Sequence, residues 1–216
     1  MEINQAPQNE TATQVAEIKE TFRKTLFPTE LRCYSYPVTQ ELIDGIVQLV
    51  GNNQETTTDI MNLDSDIIDA FKGFIFEICL ELDEFKLINN SDGTNRVPNN
   101  PVTGQNFLPN IIGSNVLFQQ PMEHIPLHCY EFVPLIFTFV LNTGKTPPNT
   151  YYADTRGGVQ TIRQLAGQDL VGTSFGLRAQ VGEVIITPGY LQRYTETNLS
   201  DQAQMFLNVR VGFASY

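Results

Sequence analysis

Basic side chains are scarce in this chain: 13 Lys and Arg stand against 24 Asp and Glu, a formal net charge of −11 over 216 residues. A surface of that sign repels phosphate backbones and anionic lipid, which argues against non-specific binding to nucleic acid or to a membrane. Cysteine is sparse too. Cys33, Cys79 and Cys129 are odd in number and far apart. That spacing excludes a disulfide framework and a CxxC-type zinc site, and it implies reduced, mostly buried thiols in a cytoplasmic compartment. No apolar run approaches the roughly 20 residues that span a bilayer. The opening MEINQAPQNETATQ has neither a basic n-region nor an apolar h-region, so no secretory signal is expected. Also missing are a P-loop, GxGxxG and any basic–aromatic strip suited to nucleic acid. Histidine occurs twice, as His124 and His128, just ahead of the apolar stretch VPLIFTFVLNTG.

The length fits one domain with a real core. Residues 1–9 are polar and aperiodic, as in a segment that is disordered or draped on a partner. Val15, Ile18, Phe22 and Leu26 then recur at helical spacing, so residues 1–26 read as an N-terminal arm with a short amphipathic helix. LFPTELRCYSYP reads as a strand bracketed by Pro28 and Pro37. A helix is expected over 38–50, with Thr39 as candidate N-cap. A longer one is expected over 64–85, where Ile67, Ile68, Phe71, Phe74, Ile75, Ile78 and Leu82 form a broad stripe behind Asp64 or Ser65. NNSDGTNRVPNNPVTG is a loop by its Asn, Gly and Pro density.

From about residue 110 the pattern changes to short strands, near 112–120, 125–132, 134–142, 149–153, 174–179, 183–187, 190–197 and 203–213. Leu135, Phe137, Phe139 and Leu141 should face one side of their strand and Ile136, Thr138 and Val140 the other, and burial of both sides would mean that the long helix covers the strand as well. The expected class is α+β, mainly β: N-terminal helices packed on a jelly roll spanning 27–216.

Several separated stretches carry a resemblance. LFPTEL before a helix, HIPLHCYEFVPLIFTFVLNTG, YYADTR and VGEVIITPGYLQRYTETNLS occur in this order. They resemble the opening strand, the H-x-H/D strand, the F-x-D-P-R strand and the G-D-hydrophobic-hydrophobic-F-P-x-x-L-x-H strand of the iron(II)/2-oxoglutarate-dependent oxygenases. The likeness is to the prolyl-hydroxylase-like branch often carried by phages, and it covers about residues 26–216. It implies a double-stranded β-helix. It also implies an iron held by two imidazoles and a carboxylate, with an Arg for the distal carboxylate of 2-oxoglutarate.

Laid on this chain, those positions hold His128, Tyr130, Arg193 and Gln204. One of the four survives. A phenol with a reference pKa of about 10 is a poor substitute for a carboxylate. Arg193 would aim a fixed positive charge at the place meant for the metal. At about 4 Å and an effective dielectric of about 20, one unit pair costs about 4 kcal/mol, and a dication doubles that. His124, His128 and Glu131 offer a shifted set, although Glu131 falls on the opposite strand face unless Pro126 adds a bulge. Arg210, a second candidate for carboxylate binding, lies six residues past the Gln204 position, roughly 20 Å along a strand.

Without function, His128 is a hydrogen-bonded core or rim histidine and His124 a surface residue. Tyr130 and Arg193 form a stacked or cation–π pair in the vacated site, and Asp154 and Arg156 pair structurally at a strand end. The resulting expectation is a degenerate metal site with no cofactor. The protein is then not an enzyme but a virion component of a phage: a neck, tail-adaptor or fibre-attachment protein. It would assemble in the host cytoplasm with other virion proteins and as a homo-oligomer, without nucleic acid or membrane as partner. The alternative is a divergent 2-oxoglutarate-dependent hydroxylase acting on a prolyl or other side chain. A sugar- or peptide-binding jelly roll fits the fold, but no residue singles it out.

Overall fold

The computed structural model describes residues 20–26, 29–50, 59–82, 88–89, 95–96, 107–130, 132–145, 147, 149–153 and 174–215. Two N-terminal strands, β1 (Glu20–Leu26) and β2 (Thr29–Ser35), pair antiparallel through a short turn. The amphipathic helix expected before residue 27 is therefore a strand over 20–26. Phe22 and Leu26 fit a helical spacing, but the free edge of β2 offers a ladder that a short isolated helix cannot match. Residues 1–19 lie outside the described ones.

Helix α1 (Gln40–Val50) starts where Thr39 Oγ1 accepts the Leu42 N–H at 3.2 Å. Helix α2 (Asp66–Glu81) starts where Ser65 Oγ accepts the Ile67 N–H at 3.3 Å, and both caps satisfy donors that a helix end leaves free. Between them a single 3₁₀ turn, Ile60–Asn62, is tied to the sheet through Ser114, which donates to Asp59 Oδ1 at 2.6 Å and accepts the Met61 N–H at 3.1 Å. Two-residue strands β3 (Ile88–Asn89) and β4 (Asn95–Arg96) pair with each other in the stretch expected to be loop.

The remaining strands are β5 (Phe107–Gln119), β6 (Leu135–Asn142), β7 (Thr150–Ala153), β8 (Ser174–Leu177), β9 (Glu183–Pro188), β10 (Gln192–Thr195) and β11 (Gln204–Ser215). They form a six-stranded sheet in the order β1-β2-β9-β6-β11-β5 and a three-stranded sheet in the order β10-β7-β8, all antiparallel. The chain crosses between the sheets repeatedly, which is the double-stranded β-helix expected, mainly β with its helices outside.

Strand β6 is buried on both faces, and the reason is visible on each side. Phe137, Phe139 and Leu141 join Phe71, Ile75 and Ile78 of α2 in one core, while Val140 joins Leu31, Cys33, Tyr152 and Phe206 between the sheets. Phe71 stacks on Tyr36 and meets Phe139 edge-on, each at 4.8 Å between centroids. Burying each such side chain contributes roughly 1.5–3 kcal/mol, which is what fixes α2 on the larger sheet. No helix among the described residues is long and apolar enough to cross a membrane.

Candidate functional site at the barrel mouth

The strand expected over 125–132 does not form as a regular ladder. His128 alone makes a bridge, to Arg193 of β10, with N···O distances of 2.9 Å in both directions. Three residues back, the carbonyl of Ile125 accepts the Thr195 N–H at 3.1 Å. Three residues on this side thus oppose two on β10, an extra residue that makes a bulge. Pro126, lacking an N–H, stands within it. Past the bulge, the Tyr130 N–H reaches Gly189 O at 2.9 Å. The turn allows no side chain at 189, because a Cβ there would collide with the carbonyls of Val133 and Tyr130.

Strand register gathers a polar belt inside the otherwise apolar barrel. In the smaller sheet, Arg193 stands opposite Tyr152 and carries His128 on its other flank. In the larger sheet, Asn208 stands between Thr138 and Asn115. Arg193, Tyr152, Thr138 and Asn208 are all buried. The two halves meet through Arg193, whose Nη1 donates to Thr138 Oγ1 and whose Nε donates to His128 Nε2 at 2.9 Å.

A guanidinium has only donors, so it sets the direction of every bond around it. His128 Nε2 must be the acceptor, which leaves Nδ1–H to donate to Pro126 O at 2.8 Å. Thr138 accepts from Arg193 and so gives its own proton to Asn208 Oδ1 at 2.9 Å. Burial, and then the charge of Arg193, lower the His128 pKa to about 4, against a smaller opposing effect of the Pro126 carbonyl. The imidazole is therefore neutral at pH 7. Burial also pushes the Tyr152 hydroxyl up, so it keeps its proton.

Tyr130 closes the mouth of the barrel. Its hydroxyl donates to Asn115 Oδ1 at 3.3 Å, and its ring meets His128 edge-on at 5.8 Å. The Arg193 guanidinium carbon lies 5.7 Å from the ring centroid, the cation–π pair expected from the sequence, and that of Arg210 lies 5.9 Å away. Arg210 gains its place because its register partner is Gly113, where a Cβ would meet the guanidinium. Among the described residues no carboxylate pairs with Arg193 or Arg210.

Of the four positions taken from the resemblance, three converge: His128, Tyr130 and Arg193. Gln204 does not join them. It is fully buried four residues from Asn208, roughly 13 Å along the strand at about 3.3 Å per residue, where its Nε2 donates to Asn198 Oδ1 at 3.0 Å. His124 is exposed, and Glu131, Asp154 and Arg156 lie outside the described residues. Thr138, Asn208 and Tyr152 were not singled out from the sequence. The signal was available for two of them: Thr138 in LIFTFVLN and Asn208 in MFLNVRV interrupt apolar strands, and a polar residue there must find a partner inside.

These residues do not fit an iron at the place where the resemblance puts it. Both ring nitrogens of His128 are engaged, and the guanidinium holds the nitrogen that would face a metal. Among the described residues no three His, Cys, Asp or Glu side chains come together. Between the sheets the belt leaves a cavity of about 20 Å³, lined by Tyr152, Arg193, Thr138 and Asn208 together with Leu117, Phe206 and others. Outside, between β5 and the 123–130 segment, an open groove of about 580 Å³ ends at His128 and Tyr130.

No family model matches the sequence, and no curated protein matches it. Solved structures do share its fold. HygX from Streptomyces hygroscopicus, with nickel and 2-oxoglutarate bound, superposes with a TM-score of 0.54 at 10% identity, over 85% of this chain and 82% of that one. SnoN, a non-heme alpha ketoglutarate dependent epimerase from nogalamycin biosynthesis, gives 0.54 at 8% identity over 84% and 77%. AviO1 from Streptomyces viridochromogenes Tue57 gives 0.52 at 9% identity over 84% and 89%. The fold is thus the oxygenase-like jelly roll that the sequence resembles. These neighbours also correct the expectation of a non-enzymatic particle component. That reading rested on the replaced ligands, the phage-like resemblance and the polar N-terminal arm, whereas the fold is shared with an epimerase and with a protein that has metal and 2-oxoglutarate bound. It is withdrawn.

Proposed function

We propose that this chain is a divergent enzyme of the 2-oxoglutarate oxygenase-like fold, acting at the barrel mouth on a substrate that carries an anionic group. The observation that carries the proposal is the pair of guanidiniums flanking Tyr130, in a protein whose net charge is −11. Arg210 is half-buried and its Nε has no partner. A fork of that kind holds a carboxylate through paired, charge-assisted hydrogen bonds. The adjoining groove, about 580 Å³ in volume, is of a size that takes a small molecule or a side chain with its flanking residues. An enzymatic role is supported by the company the fold keeps, an epimerase and a protein with metal and 2-oxoglutarate bound. A convergent polar cluster with a displaced histidine pKa, at the end of a barrel, is also where reactions are usually found. Because the four family positions do not fit iron, no step is assigned to it.

The test is turnover. Purified protein is incubated with small carboxylic acids and with peptides bearing prolyl and acidic side chains, in parallel with and without iron(II), 2-oxoglutarate and oxygen. Products are followed by mass spectrometry. The expected result is a mass change in a carboxylate-bearing compound that Arg210→Gln loses while remaining folded. No change in any compound under either condition overturns the enzymatic reading. Turnover that requires iron and 2-oxoglutarate and survives Arg210→Gln overturns the assignment of the site.

A further inference from the structure

The belt inside the barrel is saturated with donors on one side and short of acceptors. Three residues that line the cavity each bear a buried polar atom with no hydrogen-bond partner: Arg193 Nη2, Tyr152 Oη and Asn208 Nδ2. The residues that bear them are 7%, 2% and 0% exposed. Their directions are settled by the bonds already made. Asn208 uses Oδ1 for Thr138, so what remains free is its amide N–H. Arg193 uses Nε and Nη1, and its remaining nitrogen can only donate. Tyr152 keeps its proton because burial disfavours the phenolate.

We propose that this cavity is a binding site for one small monovalent anion of halide size, held by Arg193 Nη2, Tyr152 Oη and Asn208 Nδ2. Charge, donor count and volume support it together. A buried cation without a counter-charge is costly, and no described carboxylate pairs with Arg193. An anion offers that counter-charge and accepts from all three donors at once. A water molecule brings no charge: Thr150, Tyr194 and Thr195 complete the wall beside apolar Leu117, Ile125, Ile185 and Phe206, and none of them supplies the counter-charge that Arg193 lacks. The cavity, at about 20 Å³, holds a single particle of water or halide size, since one water needs about 10–15 Å³ by the same measure. It is too small for 2-oxoglutarate.

The site is tested with bromide on the full chain. Thermal unfolding is followed in sodium bromide and in sodium gluconate at equal ionic strength, and crystals grown in gluconate are soaked in bromide for anomalous scattering. The expected result is a saturable rise of Tm with bromide that gluconate does not give, and an anomalous peak beside the three donors. Tyr152→Phe, which removes one donor and keeps the ring, is expected to raise the bromide Kd by roughly tenfold or more, as for a hydrogen bond to a charged partner. If Tyr152→Phe does not fold, Asn208→Asp serves instead. A carboxylate there supplies the counter-charge internally, and the bromide dependence should vanish. Equal Tm in both salts, or a cavity holding only a non-anomalous water after the soak, overturns the proposal.

Discussion

Acidification from pH 7.5 to pH 4 places a proton on His128 against the structure's resistance, and the cost can be worked out. The folded-state pKa, about 4, lies below the ordinary value of 6.5. Between those two values the unfolded chain binds a proton that the folded chain refuses. The contribution of this residue is therefore fully present above pH 6.5, falls as pH drops through the window, and is gone below about pH 4. At about 1.36 kcal/mol per unit, the whole shift corresponds to roughly 3 kcal/mol. The ring is only half-buried, so solvent screening brings the expected loss to roughly 1–2 kcal/mol.

His128→Gln isolates the effect, because a glutamine oxygen can accept from Arg193 Nε and does not titrate. Urea denaturation at both pH values should show the parent losing roughly 1–2 kcal/mol more than the variant. A proton NMR titration in a His124→Ala background, where His128 gives the one imidazole signal, should place the midpoint near 4. A midpoint of 6 or above, or equal losses in the two proteins, would refute the Arg193–His128 contact as described.

Asn198 is fully buried; it donates to Gln119 O and Gln202 O at 3.0 and 2.8 Å and accepts from Gln204 Nε2 and from Ser200. Asn198→Ala should cost at least about 3 kcal/mol in urea denaturation, since several buried groups lose partners at once. Phe71→Ala, at the centre of the contact between α2 and the larger sheet, should cost about 3–5 kcal/mol by the same assay. Phe132 is 98% exposed and has a positive φ of 68°. Phe132→Gly should leave the protein as stable or more stable by roughly 0.5–1 kcal/mol, because the left-handed conformation disfavours a side chain and little packing is lost.

Sequence and structure agree best where one local pattern decides the outcome. The stripe of α2, the caps Thr39 and Ser65 and the two-sided burial of β6 all follow from spacing within a single element. Disagreement begins where a partner strand decides. Phe22 and Leu26 suit a helix, yet β1 pairs with β2 because that ladder is available. Likewise, the stretch 125–132 alternates well enough for a strand, but Pro126 and the positive φ of Phe132 leave it a single bridge. At the site, the likeness to the oxygenase strands located His128, Tyr130 and Arg193. It could not show that Thr138 and Asn208 meet Arg193, since that follows from the β6–β11 register and the contact between the two sheets. Nor could it bring Arg210 to Tyr130, since Arg210 was weighed only against the distance to Gln204.

The Arg193 guanidinium, bonded to His128, stands where the resemblance to the oxygenases puts a metal. A crystal structure after an anaerobic soak in iron(II) and 2-oxoglutarate tests it most directly. The expected result is Arg193 Nε still within hydrogen-bond distance of His128 Nε2 and no metal between them. An iron about 2 Å from His128 Nε2, with Arg193 swung away, would contradict it.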